Sequence, residues 1–344
     1  MTKERSKKSI LIYTLLIPIF MVTTSVIAIL YWPQNNMIKS TKITINNGES
    51  LSMISNKLMK SGVITNKKFF GLATKIMGLE KSIPVGSYQF DNIFINKNII
   101  KRLVYGSPEI KRITLLEGWN IKQVCSHLSK EMGFDYNNLL EIINDKNFIQ
   151  NLNLKSDNLE GYLYPETYYF FDGENEYSVI KRLVKEHKKF WSNRNKTKAD
   201  SMNLTQHQIV TLASIIEGEA IYDSERSIIS AVYHNRLKKA MKLQADPTVQ
   251  YIIKDGPRRL LNKDLKIKSP YNTYLHKGLP PGPINSPGHE SLKAALYPEE
   301  NDYLYFVAKG DGYHTFSKNE KDHERAKRAF QRVRRKVKRE RNGL

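Results

Sequence analysis

The chain has 344 residues and a formal net charge of +21, with 55 lysine and arginine residues against 34 acidic ones. This length allows two domains or one large domain with additions. The charge suits a polyanionic partner such as nucleic acid, an anionic membrane surface or an acidic polymer. The single cysteine, Cys125, excludes an internal disulfide, and the eight histidines show no metal-ligand spacing. We therefore predict neither a metal site nor a cofactor.

The N-terminal segment indicates the compartment in which the chain works. Residues 10–31 carry no charge and are mostly apolar, over a length that can cross a bilayer. Basic residues within 3–8 precede this run, and the positive-inside rule keeps that end in the cytoplasm. A cleaved signal peptide is the alternative, but its apolar core is usually shorter, and the bulky residues 30–33 do not form a small-residue cleavage site. We expect a single-pass anchor in the inner (plasma) membrane, an extracytoplasmic main body and no nucleic-acid partner.

Residues 40–108 predict a small α+β module. Residues 42–45 alternate like a strand, and two amphipathic helices, a second strand near 85–90 and a short helix follow. A unit of this size and order looks like a LysM-type sugar-binding module. Many small α+β modules share this layout, so no residue within it is nominated as a binder.

An aromatic segment follows in the larger remainder of the chain. Residues 159–170 contain Glu160 and Glu166 among four tyrosines. This composition suits an aromatic strand–turn–strand in the core. It suits equally a carbohydrate cleft, in which aromatic faces stack on sugar rings and acids hold hydroxyl groups.

The later segments give a coarser pattern. Residues 192–203 indicate a loop, and Asp246-Pro247-Thr248 indicates a turn. Residues 303–307 predict a buried strand that opens a hairpin. The basic residues 320–338 predict a helix whose charged face is solvated, with contact to an anionic surface as the alternative.

An acidic pair lies in a segment that otherwise predicts a buried helix. Five apolar side chains follow the helical 3/4 spacing, namely Ile209, Leu212, Ala213, Ile216 and Ala220. Thr205 and Gln208 predict a capping box at the start of this helix. Glu217 and Glu219 then lie on opposite shoulders of the apolar stripe, where partial desolvation raises the pKa of a carboxyl group and makes a general acid. Periodicity does not choose between the two glutamates, and two solvated carboxylates without a role are the alternative.

The chain resembles a known family through seven motifs in a fixed order. They are Ala213-Ser214-Ile215-Ile216-Glu217, Tyr233-His234-Asn235-Arg236-Leu237, Leu243-Gln244-Ala245-Asp246-Pro247-Thr248, Tyr271-Asn272-Thr273-Tyr274, Gly278-Leu279-Pro280-Pro281-Gly282-Pro283-Ile284, Tyr303-Leu304-Tyr305-Phe306-Val307 and His314-Thr315-Phe316. This series closely resembles the endolytic murein transglycosylases, the YceG-like family. Ala245 and Leu116 depart from it, because the family usually has a hydroxyl residue and a proline at these positions.

The resemblance covers the whole chain and implies its α+β organisation. The expected parts are a cytoplasmic stub at 1–9, a transmembrane helix at 10–31, the LysM-like module at 40–108, the catalytic domain at 109–338 and a basic tail at 339–344. The partners that it implies are peptidoglycan glycan strands and the inner membrane, with peptidoglycan synthases as candidate protein partners.

The resemblance also implies an activity, namely cleavage of the β-1,4 bond between N-acetylmuramic acid and N-acetylglucosamine within glycan strands. The product carries a 1,6-anhydromuramic end, and the expected role is to terminate the elongation of nascent strands. Glu217 is the implied catalytic acid and base, which decides between it and Glu219. A lytic enzyme lets the sugar's own C6 hydroxyl attack, so one carboxyl can serve in turn as acid and base, whereas hydrolases ordinarily need two carboxylates.

The candidates for substrate binding are Asn235, Gln244, Asp246, Thr248, Tyr271 and Asn272, with Glu160 and Glu166 as a second group.

Two other functions stay open at this point. A membrane-anchored peptidoglycan-binding module would not need Glu217, and a conventional murein hydrolase would leave reducing ends.

Overall fold

The fold is known from a computed structural model, which describes residues 2–33, 40–91, 95–106, 108–254, 256 and 258–341. The chain forms two compact units, Met1–Arg112 with Tyr169–Asn175, and Ile113–Tyr168 with Glu176–Leu344. Both combine α-helices with small two-stranded sheets, so the predicted mixture of helix and strand is confirmed.

The first unit follows the predicted order of strands and helices. Its elements are α1 (Thr2–Tyr31), β1 (Thr41–Ile45), α2 (Leu51–Lys60), α3 (Lys67–Ile76), β2 (Gly86–Phe90) and α4 (Asn96–Tyr105). Strands β1 and β2 are antiparallel, with Ile43 opposite Tyr88. The side chains of Ser50 and Asn66 accept backbone N–H groups at the starts of α2 and α3. These local caps explain why the helix starts could be predicted.

Helix α1 bears on the predicted membrane anchor. In the ranges that the structure describes, no helix combines the length and the apolar character that crossing a membrane requires. The transmembrane helix predicted over residues 10–31 is therefore not confirmed. At the end of α1, Ile29 and Leu30 pack against the core of the first unit, and the Asn96 side-chain amide donates a hydrogen bond of 2.9 Å to the Ile29 carbonyl.

The second unit is mainly helical. The remaining elements are β3 (Ile110–Thr114), α5 (Ile121–Met132), α6 (Tyr136–Asn144), α7 (Lys146–Asn151), β4 (Thr167–Phe171), α8 (Glu176–Lys189), α9 (Asn193–Ser201), α10 (Gln206–Glu219), α11 (Asp223–Lys238), α12 (Asp246–Ile252), α13 (His289–Leu296), β5 (Tyr305–Ala308), β6 (His314–Ser317) and α14 (Glu320–Arg341). Strand β3 pairs with β4, and residues 110–112 of β3 and 169–171 of β4 belong to the first unit. Strands β5 and β6 pair as an antiparallel hairpin in the second unit.

Helix α10 lies at the centre of the second unit. The predicted capping box is present, since Thr205 and Gln208 each bond the other's backbone N–H. Residues 209–216 are all buried, so the single buried stripe that the sequence predicted is too narrow. Helices α11, α12 and α13 all pack against α10, which explains why its whole circumference is covered.

Several local predictions were wrong for identifiable reasons. Residues 193–201 form α9 rather than a loop, because the Ser192 side chain caps the first turn. The predicted turn at Asp246 is the start of α12, where a proline in the first turn is compatible with a helix. Strand β5 is only half-buried, because it belongs to a two-stranded hairpin.

A histidine in α8 is buried in an aromatic environment. His187 is 1% exposed, and neither of its ring nitrogens has a hydrogen-bond partner among the described residues. The rings of Tyr162, Tyr164 and Trp191 lie 5.0, 6.4 and 6.5 Å from it. Burial lowers the pKa of His187 from 6.5 to about 3. The folded chain therefore holds this imidazole neutral, while the unfolded chain protonates it below pH 6.5.

We expect His187→Phe to remove a loss of stability that the wild type suffers at acid pH. Between pH 6.5 and about pH 3 the unfolded state binds one more proton at this residue, so the free energy of unfolding of the wild type falls as the pH falls. At about 1.4 kcal/mol per pH unit, the variant should gain about 2 kcal/mol over the wild type on going from pH 7 to pH 5. Urea denaturation of both proteins at these two pH values measures the gain. The burial argument is wrong if the variant and the wild type differ in free energy of unfolding by the same amount at both pH values.

Candidate active site

Glu217 lies in the last turn of α10 and is held by two donors. Its Oε1 atom is 3.2 Å from Nη1 of Arg226, and its Oε2 atom accepts a 2.9 Å hydrogen bond from the Gly288 N–H. The side chains of Glu217 and Arg226 are only 6% and 7% exposed. Arg226 is itself fixed, because it pairs with Asp223 and donates to the Ser291 hydroxyl. The carboxylate therefore has a defined orientation, set by α11 and by the loop before α13.

A second carboxylate approaches the same place from the loop after β3. The Gly118 N–H donates to the Ser286 carbonyl at 2.9 Å, which brings Glu117 to Gly288. A Cβ atom at Gly288 would lie 1.8 Å from Oε1 of Glu117, so a side chain at this position would displace the Glu117 carboxylate. The pKa of Glu117 is raised, first by partial desolvation and then by the negative charge of Glu217. Two carboxyl groups thus share this site.

Sequence reasoning missed Glu117, Arg226 and Gly288. Arg226 could have been found, because it precedes the buried residues Ile229 and Tyr233 by three and seven positions and so lies on the buried face of α11. A buried arginine needs an acidic partner. The hydrogen bond from the Gly288 N–H could not be predicted from the sequence, because it depends on the path of a loop.

Glu219 lies on another side of α10, about 200° around the helix axis from Glu217. Its carboxyl accepts a 3.0 Å hydrogen bond from the Tyr233 hydroxyl. Burial, followed by the negative charge of Asp246, raises the pKa of Glu219 to about 7. The expected separation of the two glutamates is therefore present, but Glu219 is directed toward the buried side of α11 and the start of α12.

Two predicted binding residues are accessible near the start of α12. The Oδ1 atom of Asp246 accepts a 2.6 Å hydrogen bond from the Tyr274 hydroxyl, and Asp246 remains exposed. Gln244 is also exposed and adopts a left-handed backbone conformation with φ of 50°. Both side chains stay candidates for contact with a sugar.

Two other predicted binders are fully buried and hold backbone groups. The Thr248 hydroxyl donates to the Ala245 carbonyl at 2.7 Å. The Asn272 amide donates to the carbonyls of Leu265 and Ile267 at 3.1 and 2.8 Å. Their polar atoms fix the irregular chain around them, so the structure does not present these two side chains on an accessible surface, and their contact with substrate stays a prediction.

Asn235 is also committed to the backbone. Both hydrogen bonds of its side-chain amide go to carbonyls, those of Asn301 at 2.8 Å and Tyr303 at 3.0 Å. It lies nine residues beyond Arg226 on α11, which is about 13 Å along the helix. Asn235 therefore secures the chain before β5, and the structure does not bring it to Glu217.

The second group of acidic candidates divides between the core and the surface. Glu160 is 3% exposed and accepts hydrogen bonds from the Ile121 N–H at the start of α5 and from the Tyr251 hydroxyl, at 3.0 and 3.2 Å. The predicted binder Tyr271 packs on Tyr251 with 5.1 Å between ring centres. Glu166 is exposed and accepts the N–H of its neighbour in the chain. Glu160 therefore holds the start of α5 and Tyr251 in the core, and its role in binding stays a prediction.

We expect Glu160→Gln to change how stability depends on pH. Burial raises the pKa of Glu160 from 4.5 to about 7, so the native state keeps a proton that the unfolded state has lost. The free energy of unfolding of the wild type should fall by about 3 kcal/mol between pH 4.5 and pH 8, whereas an amide contributes no such loss. The variant should therefore gain about that amount relative to the wild type over this interval.

Chemical denaturation at pH 4.5 and pH 8 tests this expectation. Tyr251→Phe is the control, because it keeps the carboxyl group and removes one of its donors. It should retain the loss of stability at high pH. If Glu160→Gln and the wild type differ in free energy of unfolding by the same amount at both pH values, Glu160 does not hold its proton at neutral pH.

Among the described residues, no group of three or more His, Cys, Asp or Glu side chains could hold a metal ion.

Residues 43–329 match the profile of the YceG-like family, and the chain belongs to that family.

Two relatives of the chain are named endolytic murein transglycosylase. The chain is 35% identical over 313 residues to the endolytic murein transglycosylase of Bacillus subtilis (strain 168), covering 85% of this chain and 86% of that protein. It is 27% identical over 322 residues to the endolytic murein transglycosylase of Streptococcus pneumoniae serotype 2, covering 84% of this chain but 58% of that protein. Its fold is similar to the crystal structure of a YceG-like protein from Listeria monocytogenes, with a TM-score of 0.58 and 31% identity over 83% of this chain and 98% of that one.

Proposed function

We propose that the chain is an endolytic murein transglycosylase. It cleaves the β-1,4 bond between N-acetylmuramic acid and N-acetylglucosamine within a glycan strand and leaves a 1,6-anhydromuramic end. The observation that carries the proposal is the carboxylate of Glu217, oriented by Arg226 and by the Gly288 N–H within the region that matches the YceG-like family. The names of its relatives support the same activity.

In the proposed mechanism Glu217 starts protonated and transfers two protons in turn, one to the leaving oxygen and one from the attacking hydroxyl group. As an acid it protonates the glycosidic oxygen, which leaves as the 4-hydroxyl group of N-acetylglucosamine when its bond to the muramic C1 breaks. As a base it takes the proton of the muramic C6 hydroxyl, whose oxygen forms the new bond to C1. No water is consumed, and the carboxyl group ends in its starting protonation state. Arg226 and Gly288 keep the carboxyl group oriented between the two steps.

Glu117 gives a specific reason to consider a conventional murein hydrolase. Hydrolases use one carboxyl group on the leaving oxygen and a second on water or on the anomeric carbon. Glu117 is accessible, its pKa is raised, and it lies beside Glu217. The two mechanisms leave different products, because hydrolysis gives a reducing end and the lytic reaction gives an anhydro end.

We expect Glu217→Gln to lower the rate of murein cleavage by about 10² to 10⁴, the range for losing general acid–base catalysis. The amide keeps the shape of the side chain but cannot donate and recover a proton. Glu219→Gln is the matched control on the same helix. It should keep substantial activity, because Glu219 bonds Tyr233 rather than the groups that orient Glu217. Digestion of purified murein, with mass analysis of the fragment ends, measures rate and product together.

The outcomes of this experiment separate the alternatives. An active Glu217→Gln beside an inactive Glu219→Gln would mean that the acid had been assigned to the wrong glutamate. Reducing ends in the wild-type digest, together with loss of activity in Glu117→Gln, would establish hydrolysis by a carboxylate pair. A wild type that binds murein but never cleaves it would leave only a binding module.

We also propose that the chain works outside the cytoplasm, anchored in the inner (plasma) membrane through residues 10–31, where it terminates nascent strands beside peptidoglycan synthases. The uncharged run and the basic residues before it support this location. The first unit is proposed to be a LysM-like glycan-binding module, a role supported by its order β1, α2, α3, β2.

We expect protease added outside cells with a sealed cytoplasm to degrade the second unit, because the charge bias leaves it on that side of the membrane. A C-terminal epitope tag followed by immunoblotting measures its loss. A cytoplasmic protein probed in the same cells is the control for an intact membrane. Full protection of the tag, with release after lysis, would reverse the proposed topology.

A further inference from the structure

Two tyrosines form an exposed stack in the second unit. Tyr222 lies immediately before α11, and Tyr313 lies in the turn between β5 and β6. Their ring centres are 4.2 Å apart and the rings are inclined by 20°. Each residue is 39% exposed, and the adjacent Ile221 is 68% exposed. Each ring covers one face of the other. Because both residues stay partly exposed, aromatic surface remains in contact with solvent here.

The stack is held in position by its surroundings. Gly312 has φ of 94°, and a Cβ atom there would lie 2.8 Å from Cε2 of Tyr222, so glycine is needed both for the turn and for the packing. The buried carboxylate of Glu225 accepts the His314 N–H at 3.0 Å and pairs with His314 Nδ1 at 2.8 Å. Glu225 follows Tyr222 by three residues in α11, and His314 follows Tyr313 directly. This contact therefore fixes the hairpin against the helix that carries the other ring.

The stack lies close to the candidate active site. Arg226 follows Tyr222 by four residues, or about one helical turn, and its guanidinium lies 3.2 Å from the Glu217 carboxylate. Charged groups accompany the rings. The Asp223 side chain is 70% exposed, and the Lys309 ammonium lies 5.9 Å from the centre of the Tyr313 ring. Aromatic surface with a few charged groups beside it is a common composition of ligand sites.

We propose that Tyr222 and Tyr313 form a sugar-stacking subsite for the murein strand beside the position of cleavage. This inference rests on the proposed function, from which it takes its ligand. One face of a pyranose ring presents C–H groups and can pack on an aromatic face, while the hydroxyl groups at its rim bond polar side chains such as Asp223. Lys309 suits the lactyl carboxylate of a muramic residue. The subsite positions the strand and takes no part in proton transfer.

Binding and turnover variants test the subsite. Tyr222→Ala and Tyr313→Ala should each weaken binding of soluble murein glycan strands about fivefold to tenfold, within the range for losing one aromatic packing contact. Binding is measured in the Glu217→Gln background, so that cleavage does not consume the ligand. Tyr222→Phe and Tyr313→Phe keep the ring face and should restore most of the affinity. In the active enzyme the alanine variants should raise KM and change kcat little.

Tyr177→Ala is the matched control, because Tyr177 is 48% exposed and also packs against one aromatic ring, that of Phe148 at 5.1 Å. It should leave glycan binding unchanged. Thermal melting of all variants identifies any that are misfolded, and recovery in the phenylalanine variants separates stacking from a merely structural role.

The results distinguish this inference from the proposed function. Murein cleavage that is normal in both alanine variants, with unchanged strand binding, would overturn the subsite alone. Tyrosine-dependent strand binding by a wild type that never cleaves murein would support the subsite and overturn the proposed reaction. A wild type that binds no glycan strand would overturn the subsite as well.

Discussion

The burial of α10 is the constraint on which the second unit depends. A helix covered on every side must find partners for each polar atom that it takes into the core. Ser214 shows how this is met. Its hydroxyl accepts the Ile284 N–H at 3.1 Å, and its carbonyl accepts the Asn285 side-chain amide at 2.9 Å. These bonds fix the proline-rich loop on α10, and the same loop then carries the Gly288 N–H to Glu217.

The end of α10 directs three consecutive residues to different partners. Glu217 meets Arg226 and Gly288, whereas Glu219 meets Tyr233. Between them, a Cβ atom on Gly218 would lie 2.6 Å from a side-chain carbon of Pro247, so the missing side chain lets α12 approach. The helix thus separates its two carboxyl groups into different surroundings, and it brings the start of α12 close to Gly218 and Glu219.

The buried pair of Glu217 and Arg226 serves orientation more than stability. Removing two charges from water costs free energy that their attraction only partly offsets, and such pairs are often no more stable than apolar replacements. What the pair provides is a carboxylate with one geometry, and Asp223 and Ser291 fix the arginine in turn. The exposed stack of Tyr222 and Tyr313 starts one turn away on the same helix, so one element orients the acid and carries the aromatic surface.

The sequence by itself determined the features that depend on neighbours along the chain. Helix starts were predictable because residues three apart make the caps, as Thr205 and Gln208 do. The order of motifs indicated the family and Glu217. The tertiary structure alone decided which polar side chains are free to meet a ligand. Thr248, Asn272 and Asn235 looked like binders, yet each donates a hydrogen bond to a backbone carbonyl. For Asn235 the acceptor is 66 positions away, and Glu217 receives a backbone N–H from 71 positions away. Contacts at such separations are set by how the helices pack, and no local pattern records them.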